Sequence, residues 1–169
     1  MNDTAAPVSP VIDAADCPTA GLLRRLAALL YDSFLVAAIW MALGFVMQLI
    51  VGPDSNHLVD GHVETDPVVS AVLFTAMLAS AFGFYAWFWT HTGQTLGMLA
   101  WRLRAVSVDG SPMSLRQCAL RYVLAWPAMF CFGIGYLWLY VDKHGNAVHD
   151  IFSGTRVVVV PKQKAKRGF

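Results

Sequence analysis

Charge is scarce in this chain. Of its 169 residues, 14% are charged and 57% are hydrophobic, against about 25% charged and about 45–50% apolar in a soluble domain. So much apolar surface does not fit inside the core of one small water-soluble fold. The formal net charge is only +1, so no strong basic field calls for nucleic acid. Cysteine is equally sparse. Cys17, Cys118 and Cys131 form no C-x-x-C pair, which removes the zinc-ribbon and thioredoxin-like readings. No P-loop, dinucleotide fingerprint or nucleophile elbow occurs, and no nucleophile stands beside a base. An enzyme is therefore not expected, nor a cofactor or resident metal.

Apolar runs are what the sequence has. Residues 26–51 are interrupted only by Tyr31, Asp32, Ser33 and Gln48; residues 68–90 carry no charge and end in Phe84, Tyr85, Trp87, Phe88 and Trp89. At about 1.5 Å per residue each run crosses a hydrocarbon core of about 30 Å, and the rings suit the headgroup boundary. A third run, 119–141, is less regular. Ser114 and Gln117 offer a capping box at its start, Pro127 removes a backbone donor, and Gly133-Ile134-Gly135 weakens it again. It either crosses as one bent helix or enters, turns near the glycines and leaves on the same side. The expected fold is an all-α integral membrane protein: two clear transmembrane helices and a kinked or re-entrant third segment. A short β pair is expected on the cytoplasmic side, from residues 102–108, closed by the Asp109-Gly110 turn, and the β-branched run from Thr155 to Val160.

Around this domain, residues 21–160, lie two tails. Residues 1–20 hold three prolines, three aspartates and no cation, reading as a disordered acidic tail; residues 161–169 are basic and suit anionic headgroups. Arg24 and Arg25 precede the first run, and no Lys or Arg recurs before Arg102. By the positive-inside rule the N-terminus is cytoplasmic, the 52–67 connection outside and the 102–116 loop inside. Three full crossings put the basic tail outside, against the rule; a re-entrant third segment puts it inside, which we favour. His57, Asp60, His62 and Glu64 in the outer connection have divalent-cation chemistry, but such a loop is ordinarily solvated. Ala79 and Gly83 form a small-residue face on the second run. With so few spans to enclose a path, we expect a homo-oligomer or a membrane-protein partner in the bilayer.

Asp32 is the most informative position. A carboxylate at mid-span costs about 2.5–3.5 kcal/mol on insertion scales unless a partner, water or a proton relieves it. Arg25 shares its helix face but sits about 10 Å away along the axis. Arg121, about two turns beyond Ser114, is placed at similar depth and is the better partner. Such a pair serves either an ion or proton site or a packing lock between helices. His149-Asp150 lacks the further ligands of a metal phosphohydrolase site. The stretch from Gly93 to Gly97 has too few glycines to cradle phosphate and reads as a helix end near the inner surface.

Three motifs in order resemble the RDD family of bacterial membrane proteins. Arg25-Leu-Ala-Ala28-Leu-Leu-Tyr-Asp32 is similar to its opening motif. Thr92-Gly93-Gln94-Thr95-Leu96-Gly97 with Arg104-Ala-Val106 is similar to the central one, although Met98 stands where many members carry lysine. His149-Asp150 with Gly154-Thr155-Arg-Val157-Val158 is similar to the closing one. The family is named for one arginine and two aspartates, which fall on Arg25, Asp32 and Asp150. The resemblance implies a multi-pass inner-membrane protein and no established activity; transport, including cation/proton exchange, has been suggested for some members. The expected charge network is Arg25, Asp32, Arg121 and Asp150, with His149, Thr155 and Gly97 in support. Its expected use is ion or small-solute transport, the alternative being a non-catalytic scaffold or assembly partner.

Overall fold

The computed structural model describes residues 17–52, 55–59, 61–130 and 133–161. The expected tails at 1–16 and 162–169, Asp60 and Cys131 lie outside them. Helix α1 spans Leu22–Val51 and α2 spans Pro67–His91. Both are long and apolar enough to cross a membrane. At about 1.5 Å per residue they measure about 45 Å and about 37 Å. In the most apolar window of each, only 6% of residues are buried inside the protein. A soluble core helix hides its apolar face; these present theirs outward, where only lipid or another chain can cover it. Asp66 caps α2, accepting from the Val68 and Val69 amides at 2.8 and 3.2 Å, and Pro67 supplies a preset φ at the first helical position.

Between them lies a β-hairpin, β1 (Asn56–Val59) against β2 (His62–Thr65), with His57 opposite Glu64 and Val59 opposite His62. The turn puts Gly61 at φ +79°, a region open to glycine at little cost. Read in sequence as a solvated connection, this segment is a paired ribbon. Among the described residues, no group of His, Cys, Asp and Glu is arranged to hold a metal ion.

At the opposite end of α1 and α2 the chain builds a platform. Thr95 caps the short helix α3, Leu96–Ala100. Strand β3 (Leu103–Ser107) pairs antiparallel with β4 (Thr155–Val159), Ala105 opposite Val157. Pro18–Ala20 add to the outer edge of β4, through the Val159 amide to the Pro18 carbonyl and the Ala20 amide to the Val157 carbonyl, both 2.9 Å. The acidic tail expected over 1–20 therefore ends sooner: Ala20 is fully buried. The core of this platform includes Ala28, Trp89, Met98, Leu103, Cys118 and Val157.

The third apolar run does not form one straight span. Helix α4 covers Leu115–Phe130, starting at the Ser114/Gln117 box, in which the Ser114 amide donates to Gln117 Oε1 at 2.9 Å and the Gln117 amide to Ser114 Oγ at 3.3 Å. It continues through Pro127. Gly133, at φ +72°, then turns the chain into α5, Ile134–Leu137. A Cβ on Gly135 would overlap Ala128, so α5 folds back along α4. A 3-10 turn at Trp138–Tyr140 and helix α6, Val148–Ser153, return the chain to the platform. Since β3 enters α4 and β4 leaves α6, their pairing fixes both ends of this excursion at one end of the molecule.

Candidate functional site

The buried residues of α1 are Arg25, Ala28, Asp32 and Val36. Their spacing of three and four makes one stripe, so both charged side chains face inward. They meet different partners.

Arg25 pairs with Asp150 Oδ2, and Arg121, from α4, pairs with Oδ1 of the same carboxylate. Oδ2 also accepts from the Ala147 amide at 3.0 Å, tying Asp150 to the start of its own helix. Arg25 Nε donates to the Ala20 carbonyl at 2.9 Å, and Arg121 Nη1 to Thr155 Oγ1 at 2.8 Å. The Arg121 guanidinium also stands 5.2 Å from the Trp89 ring centroid, within cation–π range. One carboxylate thus clamps α1, α4, α6 and the head of β4. Asp150 is fully buried. Burial by itself would raise its pKa, but Arg121 and Arg25 outweigh it and hold the group well below the usual carboxylate range.

His149 is buried beside this cluster, its Nε2 3.5 Å from Asp150 Oδ1. Burial first, then Arg121 and Arg25, push its pKa down to about 3, against an opposing pull from Asp150. The imidazole is neutral at physiological pH. Its Nδ1 has no hydrogen-bond partner among the described residues.

Asp32 takes another arrangement. Oδ2 accepts from Thr95 Oγ1 and Oδ1 from the Gly97 amide at 2.8 Å. The carboxylate sits on the first turn of α3, where free amides and the helix dipole favour negative charge. The expected Asp32–Arg121 pair is not formed: no ion pair among the described residues includes Asp32, and Arg121 is spent on Asp150 and Thr155. Equal depth along two helices was not enough. The short helix α3 wedges against α1 and reaches Asp32 first. Gly97 makes this approach possible, since a Cβ there would overlap the Ala28 carbonyl oxygen and come within 2.9 Å of the Asp32 carboxyl carbon. The stretch from Gly93 to Gly97, expected as a helix end, is both an end and a start. Gly93, at φ +72°, turns the chain out of α2, and Thr95 opens α3.

Above these groups, between α1, α2 and α4, lies a cavity of about 260 Å³. Arg25, Asp32, Arg121 and His149 lie along it, and Val36, Trp40, Tyr85, Trp89, Trp126 and Tyr136 supply much of the rest. Sequence reasoning placed Tyr85 and Trp89 at a headgroup boundary and gave no signal that three of the tryptophans share one hollow. The spacing of Tyr122 and Trp126, on one α4 face, was the available clue.

The RDD family model matches residues 19–154. No match was found among curated proteins or among solved structures.

Proposed function

The chain belongs to the RDD family of membrane proteins, and from that premise we propose that it is a non-catalytic membrane scaffold whose charge network is a lock. The observation that carries this reading is the state of Asp150: both oxygens are engaged, by guanidiniums from α1 and α4. Asp32 is likewise engaged at both oxygens. A carboxylate that shuttles ions has to let go of its protein partners at some stage. Here each one fastens a platform element to a span.

The same geometry supports an orientation. The platform end carries Arg24, Arg102, Arg104, Arg116 and Arg156, whereas residues 52–67 contain no Lys or Arg. We take the platform as cytoplasmic, the hairpin as outside, and α4–α5 as a re-entrant excursion in a bacterial inner membrane. On this reading the chain leaves β4 on the cytoplasmic side. The outward apolar faces of α1 and α2 suit a second copy or another membrane protein as well as lipid.

One feature favours a second reading, ion or small-solute transport with Asp32 as the coupling carboxylate: Asp32 adjoins the cavity. Flux in proteoliposomes separates the two. The scaffold reading expects no Na⁺, K⁺ or H⁺ flux above empty vesicles, and expects Asp32→Asn to lower abundance and thermal stability. Gradient-driven flux that Asp32→Asn abolishes in a fully folded protein would overturn it.

A further inference from the structure

The β3–β4 pair has an outer face that the lock does not use. Residues opposite one another in an antiparallel pair point the same way, and the next pair along points the other way. The register sets Arg104 opposite Val158 and Arg156 opposite Val106. These four side chains therefore share one face, while Leu103, Ala105 and Val157 turn to the core. Arg104 and Arg156 stand in the central and closing motifs, yet no ion pair among the described residues includes either. They are diagonal neighbours, about 7–8 Å apart or less at the backbone. Two cations so placed repel each other unless an anion stands with them.

The floor of this face is apolar. Val106 and Val158 are buried, and Cys17 packs against them. Both arginines are half-buried, and the Nε of each is sealed without a partner among the described residues. The terminal Nη groups are not sealed in this way, so each guanidinium is held by its stem and keeps the end of its fork accessible. Gly93 gives Arg104 its bed: a Cβ there would come within 3.1 Å of Arg104 Cγ and 3.2 Å of Nε. Half-burying a guanidinium strips part of its hydration and returns nothing until an anion arrives. Gly93 stands just past His91, the last residue of α2. Arg104 thus lies at the end of a span, the depth of headgroup phosphates.

We propose that Arg104 and Arg156 form a site for one phosphate monoester. Such a group carries more negative charge and more acceptor oxygens than a carboxylate, and so suits two open forks. Two sources offer this chemistry, the headgroup of phosphatidic acid and free phosphate. The site goes beyond the scaffold reading and uses none of the residues of the lock.

The test is a calorimetric titration of the full chain in detergent, with native mass spectrometry for stoichiometry. The probes are a short-chain phosphatidic acid, the matching phosphatidylcholine and inorganic phosphate. The phosphatidic acid is expected to bind saturably, one per chain, at about 0.15 M salt. Phosphatidylcholine, whose headgroup is neutral overall, is expected to bind at least about tenfold more weakly. Arg104→Gln and Arg156→Gln should each weaken phosphatidic acid at least about tenfold, and Arg116→Gln, an exposed arginine on α4, less than about twofold. Where a Gln variant does not fold, Arg104→Lys or Arg156→Lys keeps the charge, loses the fork and should weaken binding at least about threefold. Inorganic phosphate binding as tightly as the lipid supports the site with free phosphate as its source; binding at least about tenfold weaker supports it with the lipid. No saturable binding, equal binding of phosphatidylcholine, or an Arg116→Gln loss matching those of Arg104 and Arg156 would overturn the proposal. So would binding that appears only after Asp13→Asn and Asp16→Asn, which would give this face to the chain's own aspartates. None of these results bears on ion flux or on the effect of Asp32→Asn.

Discussion

Arg25 and Arg121 lie 96 positions apart in the chain and share the single carboxylate of Asp150, one on each oxygen. That junction joins the start of the first span to the base of α4 and to the end of the fold.

Breaking the junction at its centre should be severe. Asp150→Asn leaves two buried guanidiniums facing each other without an anion, and removing one partner of a buried ion pair costs about 3–5 kcal/mol. The expected outcome is a large drop in the thermal midpoint, read by size-exclusion chromatography after heating. Arg25→Gln and Arg121→Gln added to Asp150→Asn should recover part of the loss, because the unpaired charges go with it.

Asp32→Asn should be milder and should not respond to Arg121. The amide keeps one acceptor for Thr95 or Gly97 but turns an N–H toward the other donor. The expected cost is about 1–3 kcal/mol, that of an unmatched buried polar group. Thr95→Val in the same background should cost less than in the parent, since its bond to residue 32 is already weakened and what is left to lose is its cap on the Met98 amide. Heat stability of the two single variants and the double variant checks this.

Gly97→Ala tests the close approach of α3 to α1. The added methyl meets the Ala28 carbonyl and the Asp32 carboxylate, both backed by packed helix. Overpacking of this kind costs about 1–3 kcal/mol. Gly83→Ala, where a Cβ meets nothing within 4 Å, should be near neutral in the isolated chain. Parallel thermal scans of the two variants give the comparison.

Acid should destabilise the fold in two stages. His149 has a folded pKa of about 3 against about 6.5 in an unfolded chain. The folded state binds fewer protons there, so this stability is complete above about pH 6.5 and is lost as pH falls toward 3, by about 1.4 kcal/mol per pH unit. Asp150 is also depressed. Its contribution is complete above about pH 3.9 and fades below that as pH approaches its low folded pKa. In His149→Gln the slope between pH 6.5 and about 4 should flatten while the steeper loss below pH 4 remains. Chemical unfolding in detergent across this pH range measures both.

Much of this architecture was legible in residues 21–160. The two spans announce themselves by length and by the lack of charge. The β pair follows from β-branched Thr155–Val159 and from Leu103–Ser107 before Asp109-Gly110. Ser114 and Gln117 gave the start of α4 by their spacing. What escaped was the partner of Asp32. Helix α3 has five residues, too few for a periodic signal, and a depth estimate along two helices cannot see a third element wedged beside them. The clue lay in Thr95 and Gly97 together: a hydroxyl suited to a helix start, two residues before a glycine suited to close approach. The hairpin was missed for a plainer reason, its strands being four residues each with no long alternation to read.

A pair of double-mutant cycles on thermal or chemical unfolding tests the charge lock most directly, one joining Arg121→Gln to Asp150→Asn and the other joining Arg121→Gln to Asp32→Asn. A lock built as described gives a coupling of at least about 1.5 kcal/mol in the first cycle and within about 0.5 kcal/mol of zero in the second. Strong coupling between Arg121 and Asp32, with none to Asp150, would contradict it.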